Sequence, residues 1–160
     1  MWRFVKNGLF ARDNNQEGAI PVILAPLVFL RVLELGKFLY STSLNLAFEK
    51  PCETDLCVVQ HQQRDRIEIG IGECKGDRGH ISSEDVENLK ATNAKLTAMD
   101  LECVLIFAKT ADDSYRNEIQ LFRQLRDDNI PIVLLTKRQS RTSRTGAKIE
   151  RGCQYRTLLP

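Results

Sequence analysis

The sequence predicts an α/β protein in which a mixed central sheet is flanked by helices. Three short runs with the two-residue period of strands follow one another in the first half of the chain. Two helical patterns then alternate with two further apolar runs, which gives the order α-β-β-β-α-β-α-β. Strands joined by short connections pair directly, whereas strands reached through helices favour parallel placement.

The first predicted helix covers residues 18–39. It opens with an uncharged apolar run, residues 18–30, which is too short to cross a membrane. Pro21 suits a first helical turn, while Pro26 must kink the helix or begin a second piece. No secretory signal is visible, so the run predicts a buried core helix and a cytoplasmic protein.

The remaining elements follow from alternation and from helix-capping signals. The predicted strands cover residues 43–49, 55–60, 66–75, 102–109 and 131–136. The second helix is predicted to start at Ser82 or Ser83, and residues with helical spacing follow it: Val86, Leu89, Asn93, Leu96 and Met99. Asn129 is predicted to end the third helix, whose apolar face is Tyr115, Ile119, Phe122 and Leu125.

The length of 160 residues fits one domain, predicted at residues 1–136, followed by a basic tail at residues 137–160. The tail holds seven basic residues and one acid, whereas the rest of the chain holds 16 basic and 20 acidic residues. This split indicates either a polyanionic partner met by a separate arm or a solvated tail that only aids solubility. The five cysteines include no CxxC pair, which favours reduced thiols over a zinc site.

The third predicted strand carries the most informative pattern. Alternation places Glu73 and Lys75 on the same face as three isoleucines. An apolar row that ends in a carboxylate and an ammonium indicates that this face opens into a site. The other face carries Gly70, Gly72 and Gly76, which destabilise a strand interior and indicate the close approach of another backbone or of a ligand.

Asp55 opens the second predicted strand. If that strand forms a hairpin with the third, Asp55 lies near Glu73 or Lys75, and the two carboxylates repel each other unless a cation lies between them. Hard oxygen ligands of this kind suit Mg²⁺ or Mn²⁺, and a lysine beside them can position or activate an attacking water. The alternative interpretation is a turn residue, Asp55, and a surface ion pair between Glu73 and Lys75.

The spacing of Asp55 and Glu73-Cys74-Lys75, within the string GIGECKG, resembles the PD-(D/E)xK nuclease superfamily. That group includes restriction endonucleases and Holliday junction resolvases. The predicted order over residues 17–110 is similar to its αβββαβ core, and the residues beyond would add an extra αβ unit. The resemblance implies a restriction-endonuclease-like fold, with Asp55 and Glu73 as metal ligands and Lys75 as the catalytic lysine. It also implies that the backbone carbonyl of Cys74 completes the metal shell while its side chain faces away.

The chain departs from this family at Thr54, which stands where the family name has proline, although no ligand is lost. The family often adds an acid from the first helix, for which Glu17 is the candidate and Glu34 its rival. A polar residue of the helix after the third strand often joins such sites. Asn88 and Lys90 are candidates for that role, or are ordinary exposed helical residues.

Contacts to phosphates are expected from basic side chains, which give affinity rather than sequence choice. The candidates are Lys50, Arg64, Arg66 and Lys109, with Lys137, Arg138 and Arg141 in the tail. No GxSxG, P-loop or GxGxxG motif is present.

The expected function is therefore Mg²⁺- or Mn²⁺-dependent hydrolysis of phosphodiester bonds, with DNA favoured over RNA. The resemblance implies an endonuclease of DNA repair or host defence that acts as a homodimer or with further domains. The alternative is a non-catalytic module on the same fold that binds or senses nucleic acid.

Overall fold

The computed structural model describes residues 21–27, 38–48, 51–61, 67–76, 78–111 and 116–136. Within them lie five strands: β1 (Phe38–Leu46), β2 (Cys52–His61), β3 (Ile67–Lys75), β4 (Glu102–Lys109) and β5 (Ile132–Leu135). The helices are α1, described over residues 21–27, α2 (Ser83–Ala98) and α3 (Arg116–Asp127). The strands form one mixed sheet flanked by helices, so the predicted α/β class is confirmed.

The order of the strands in the sheet follows their order in the chain. The β1–β2 and β2–β3 pairs are antiparallel, and β4 and β5 are each parallel to the strand before them. α2 connects β3 to β4, and α3 connects β4 to β5. The predicted hairpin and the predicted parallel crossovers are therefore confirmed.

The sheet has an apolar core on each face. One core cluster joins Ile71 and Phe107 of the sheet to residues of α2 and α3: Val86, Leu89, Leu96, Phe122 and Leu125. The other cluster joins Val22 and Ala25 of α1 to sheet residues such as Leu56 and Cys74. Burial of α1 is one-sided, because Ile23, Leu24 and Leu27 are 43%, 38% and 46% exposed.

The boundary between the first helix and the first strand was predicted wrongly. Residues 38 and 39 belong to β1, so the helix cannot reach residue 39 and the strand begins five residues before the predicted position 43. Backbone pairing of Phe38 with Gln60 and of Tyr40 with Val58 determines this start. Hydrogen-bond pairing with β2 determines the structure of this segment more strongly than its local sequence, which suggested a helix. β2 likewise begins at Cys52 rather than at residue 55.

The capping signals are confirmed for both described crossovers. Ser82 caps α2 in a reciprocal arrangement with Asp85: the Asp85 N–H donates to Ser82 Oγ, and the Ser82 N–H donates to Asp85 Oδ2. Asn129 adopts a left-handed conformation with φ 57°, which ends α3 as predicted. Tyr115, predicted on the apolar face of α3, lies outside the described residues.

The apolar face of α3 was predicted only in part. Phe122 and Leu125 are buried as expected, but Ile119 is 40% exposed and Glu118 is completely buried. Glu118 is buried because an ion pair with Lys109 compensates its charge. The spacing of residues within the helix cannot reveal a partner that lies on another element. Met99, after α2, is also exposed rather than buried.

Gly72 lies where another backbone comes close, as the sequence predicts. A Cβ atom at this position would stand 2.6 Å from the Ile106 carbonyl oxygen of β4. Cys57, Cys74 and Cys103 are buried, free thiols, as is Cys52. No helix within the described ranges is long and apolar enough to cross a membrane.

Candidate active site

The regular β2–β3 ladder ends at the pair formed by Leu56 and Gly72, where side chains of β2 begin to bind the backbone of β3. The Gly72 N–H donates to Thr54 Oγ1 at 3.0 Å. The Cys74 N–H donates to Asp55 Oδ2 at 2.8 Å. Two side-chain oxygens thus take the place of strand carbonyls, and the ladder opens next to Asp55.

Thr54 has a clear structural role at this opening. Its side chain is completely buried, and its hydroxyl lies 2.9 Å from the Gly72 carbonyl oxygen and 3.0 Å from that of Leu56. The hydroxyl therefore satisfies polar groups of both strands where their own pairing stops. A proline in place of Thr54 would have no hydroxyl and could not make these contacts.

The backbone carbonyl of Cys74 points toward β2, the strand that carries Asp55. In an extended strand, the N–H and C=O of one residue face the same neighbouring strand, and the Cys74 N–H binds Asp55. The next carbonyl, that of Lys75, faces β4 and accepts a hydrogen bond from the Thr110 N–H at 3.2 Å. The Cys74 side chain packs in the α1-side core, where burial raises the pKa of its thiol.

Glu73, Lys75 and Asp85 form a charged cluster. Lys75 Nζ lies 2.5 Å from Glu73 Oε1 and 3.5 Å from Asp85 Oδ2. The side chains of Lys75, Glu73 and Asp85 are 25%, 15% and 23% exposed. The pair formed by Glu73 and Lys75 is therefore half-buried.

The surroundings of the Glu73 carboxyl group disfavour its charged form. Burial, followed by the negative charge of Asp55, raises the pKa of Glu73 to about 7. The charge of Asp55 affects Glu73 because the two residues are neighbours across the strands: Asp55 is next to Leu56 and Glu73 is next to Gly72, the last regular β2–β3 pair. The hydrogen bond and the charge of Lys75 lower the pKa of Glu73 but do not offset the first two effects.

Lys75 stays protonated at neutral pH. Burial alone would lower its pKa, but the hydrogen bond to Glu73 and the charges of Glu73, Asp85 and Asp55 raise it. The loop after β3 passes close to the stem of Lys75, because a Cβ atom at Gly79 would stand 2.9 Å from Lys75 Cβ.

Lys109 was predicted to contact phosphates, and this prediction is wrong. Its side chain is 2% exposed, and Nζ donates to both carboxylate oxygens of Glu118 at 2.7 and 2.8 Å. A charge buried in this way is held by its partner and is not presented to a ligand. Among the other basic candidates, Lys50, Arg64, Arg66, Lys137, Arg138 and Arg141 lie outside the described residues.

The first-helix candidates Glu17 and Glu34 also lie outside the described residues. On α2, Lys90 Nζ lies 2.9 Å from Asp128 Oδ2 and 3.6 Å from Glu87 Oε1, whereas Asp85 is the α2 residue that contacts Lys75. The sequence analysis does not identify Asp85 as a site residue. The signal that would have identified it is its place at the start of the helix that directly follows β3.

The arrangement offers hard oxygen donors beside a charged lysine. Within the described ranges, no group of three or more His, Cys, Asp or Glu side chains is placed to hold a metal ion. The smaller donor set is made of the Asp55 and Glu73 carboxylates and the Cys74 carbonyl. Such a set fits Mg²⁺ or Mn²⁺, which take few protein oxygens and keep several waters. No protein-family model, curated protein or solved structure matches the chain.

Proposed function

We propose that this chain is a metal-dependent nuclease of the PD-(D/E)xK type, with a restriction-endonuclease-like core. Its reaction is hydrolysis of phosphodiester bonds, in DNA rather than RNA. The observation that carries the proposal is the position of Asp55 beside the half-buried Glu73–Lys75 pair, at the point where the β2–β3 ladder opens. The strand order and the parallel β3–β4 pair support it, because they agree with the αβββαβ core of that family.

The residues present fit a divalent cation. The carboxylates of Asp55 and Glu73 repel each other, and the raised pKa of Glu73 records that repulsion together with the cost of burial. A cation between them would remove the repulsion and favour the charged form of Glu73. Asp55, Glu73 and the Cys74 carbonyl would hold it. When bound, such an ion activates a water and stabilises the negative charge that develops on the phosphate.

Lys75 supplies the fixed positive charge of the site. Its ammonium group is held between Glu73 and Asp85 and remains partly open to solvent, so a phosphate oxygen or the attacking water can reach it. A donor fixed in this way stabilises charge without moving at the moment of reaction. Glu73 orients the ammonium group through a direct hydrogen bond.

The proposal is tested by incubating supercoiled plasmid, linear duplex, single-stranded DNA and RNA with the chain and Mg²⁺ or Mn²⁺. Parallel reactions contain EDTA, the variant Lys75→Met, or the control Lys95→Met. Lys95 is a suitable control because it lies on α2 with its ammonium group over the Phe48 ring, 4.9 Å from the ring centroid. Cleavage that needs metal and Lys75, but not Lys95, supports the nuclease and identifies the substrate class.

The alternative function is a non-catalytic module that binds or senses nucleic acid, and it is favoured by the concentration of basic residues in the tail. A nuclease that loses residues 137–160 keeps metal-dependent cleavage and binds DNA more weakly. A sensor that loses them loses binding altogether. Absence of cleavage on all four substrates, with metal-free binding that Lys75→Met leaves intact, would replace the nuclease by this module.

A further inference from the structure

A buried ion pair lies beside the candidate active site. Lys109, the last residue of β4, donates to both carboxylate oxygens of Glu118, in the first turn of α3. Glu118 Oε1 also accepts a hydrogen bond from the Ile81 N–H at 2.8 Å. One carboxylate therefore joins the end of β4, the start of α3 and the loop that leads into α2.

Core stability alone does not require this pair. Two charges lose a large hydration free energy when they are buried, and well-packed apolar residues of similar size often stabilise a core as well or better. Glu118 makes one contact that an apolar residue cannot make, its hydrogen bond to the N–H of Ile81. Ile81 is 1% exposed, so without Glu118 its N–H would remain buried and would lose this hydrogen-bond acceptor.

The contact leads directly to the charged cluster. Ile81 precedes Ser82, the cap of α2, and the capping box places Asp85 near Lys75. On the strand side, Lys109 is the register partner of Lys75 in the parallel β3–β4 ladder. The start of α2, which carries Asp85, and the end of β3, which carries Lys75, are therefore both attached to the ion pair.

We propose that Lys109 and Glu118 are positioning residues, which fix the start of α2 so that Asp85 stays within reach of Lys75. The expected effect on turnover rests on the proposed function. The expected effect on the distance between Lys75 and Asp85 does not depend on any activity, so the two can fail separately.

Two double variants separate the hydrogen bond to Ile81 from the charges. K109M/E118Q removes both charges but keeps a side-chain oxygen for the Ile81 N–H. K109M/E118L removes the charges and the acceptor, and fills the space with apolar atoms. The distance between Lys75 Nζ and Asp85 Oδ2 is measured in crystal structures of the chain and of each variant, and cleavage kinetics are measured on the best DNA substrate. Circular dichroism and thermal melting verify that each variant is folded.

We expect the distance between Lys75 Nζ and Asp85 Oδ2, 3.5 Å in the unmodified chain, to increase in K109M/E118L, because the start of α2 is no longer fixed. Its kcat should fall by about tenfold or more, with KM changed by less than about twofold, since small errors in position are costly for catalysis. K109M/E118Q should resemble the unmodified chain in both measurements.

An unchanged distance between Lys75 Nζ and Asp85 Oδ2 in folded K109M/E118L overturns the proposal, as does an equal change in both double variants. If the leucine variant does not fold, K109M/E118N takes its place, because its shorter amide withdraws the acceptor from Ile81 while remaining polar. If the unmodified chain cleaves no substrate, the nuclease proposal fails and the distance between Lys75 and Asp85 still decides the positioning role.

Discussion

The carboxylate of Asp55 accepts a hydrogen bond from the backbone N–H of Cys74 at 2.8 Å, at the point where the β2–β3 ladder opens. Asp55 therefore contributes to the fold and to the charge of the candidate site at the same time. Its hydrogen bond holds the opened strands together, and its charge raises the pKa of Glu73. These two contributions can be separated by substitution.

Asp55→Asn should keep the hydrogen bond to Cys74 but remove the charge. We expect this variant to fold with nearly the original stability, to bind Mn²⁺ more weakly and to lower the pKa of Glu73. Asp55→Ala leaves the Cys74 N–H without its acceptor and should lower the free energy of unfolding by about 1–3 kcal/mol. Urea denaturation and NMR titration of Glu73 measure both effects. Equal destabilisation by the two substitutions would contradict this division of roles.

Lys75→Met should lower kcat for DNA cleavage by about 100-fold or more, because it removes the fixed positive charge of the site. Methionine keeps much of the apolar stem, so the loop at Gly79 should still pack against it. Lys95→Met, the matched control on α2, should cut at the original rate. Single-turnover cleavage assays at saturating protein distinguish a loss of chemistry from a loss of binding.

Metal binding should depend on pH through Glu73. Its pKa of about 7 means that protons compete with the cation for this carboxylate below neutral pH. We expect the affinity for Mn²⁺ to rise as pH increases from 6 to 8, with net release of protons at the lower values. Calorimetry in buffers of different ionisation enthalpy measures the proton release. Glu73→Gln should bind weakly at every pH and lose this dependence.

The raised pKa of Glu73 also predicts how the stability of the metal-free chain changes with pH. The ordinary pKa of Glu73 is 4.5, so the folded chain keeps this proton up to about pH 7 while the unfolded chain releases it earlier. Unfolding then releases a proton between these values, and the contribution of Glu73 to stability falls as pH rises from 4.5 to 7. The fall levels off above pH 7. Chemical denaturation of the chain and of Glu73→Gln across this range should show a smaller fall in the variant.

Gly72→Ala should destabilise the chain strongly, because the added Cβ would stand 2.6 Å from a backbone oxygen of β4 that cannot move without breaking the β3–β4 pairing. Gly70→Ala is the matched control. Its Cβ would meet the end of the flexible Ile106 side chain, also at 2.6 Å, which can rotate away. Urea denaturation should give a larger loss for the substitution at Gly72. A similar loss at both positions would show that the backbone contact is not the cause.

The parts of the fold that depend on local pattern were predictable from the sequence. β4 matches its predicted range, 102–109, and the caps Ser82 and Asn129 lie where their side-chain chemistry indicates. Asp55 and Glu73 could be brought together because a short hairpin joins their strands. In each case the determining contacts are close in the sequence.

The parts that depend on distant contacts were not predictable. Lys109 looks like a free basic residue until Glu118 of α3 is placed against it, and Glu118 interrupts an apolar face for the same reason. Asp85 joins the candidate site only because α2 starts beside the end of β3. The first strand begins at Phe38 because β2 pairs with it there, not because of its own pattern.

The agreement between strand order in the sheet and strand order in the chain has a consequence for folding kinetics. Contacts within the β2–β3 hairpin close short loops, so Asp55 and Glu73 can meet early, whereas the contact between Lys109 and Glu118 also needs α3 in place. We therefore expect substitutions at Thr54 or Asp55 to slow folding, and K109M/E118Q to change mainly the rate of unfolding. The carboxylates of Asp55 and Glu73 would then come together before Asp85 of α2 is fixed in position beside Lys75.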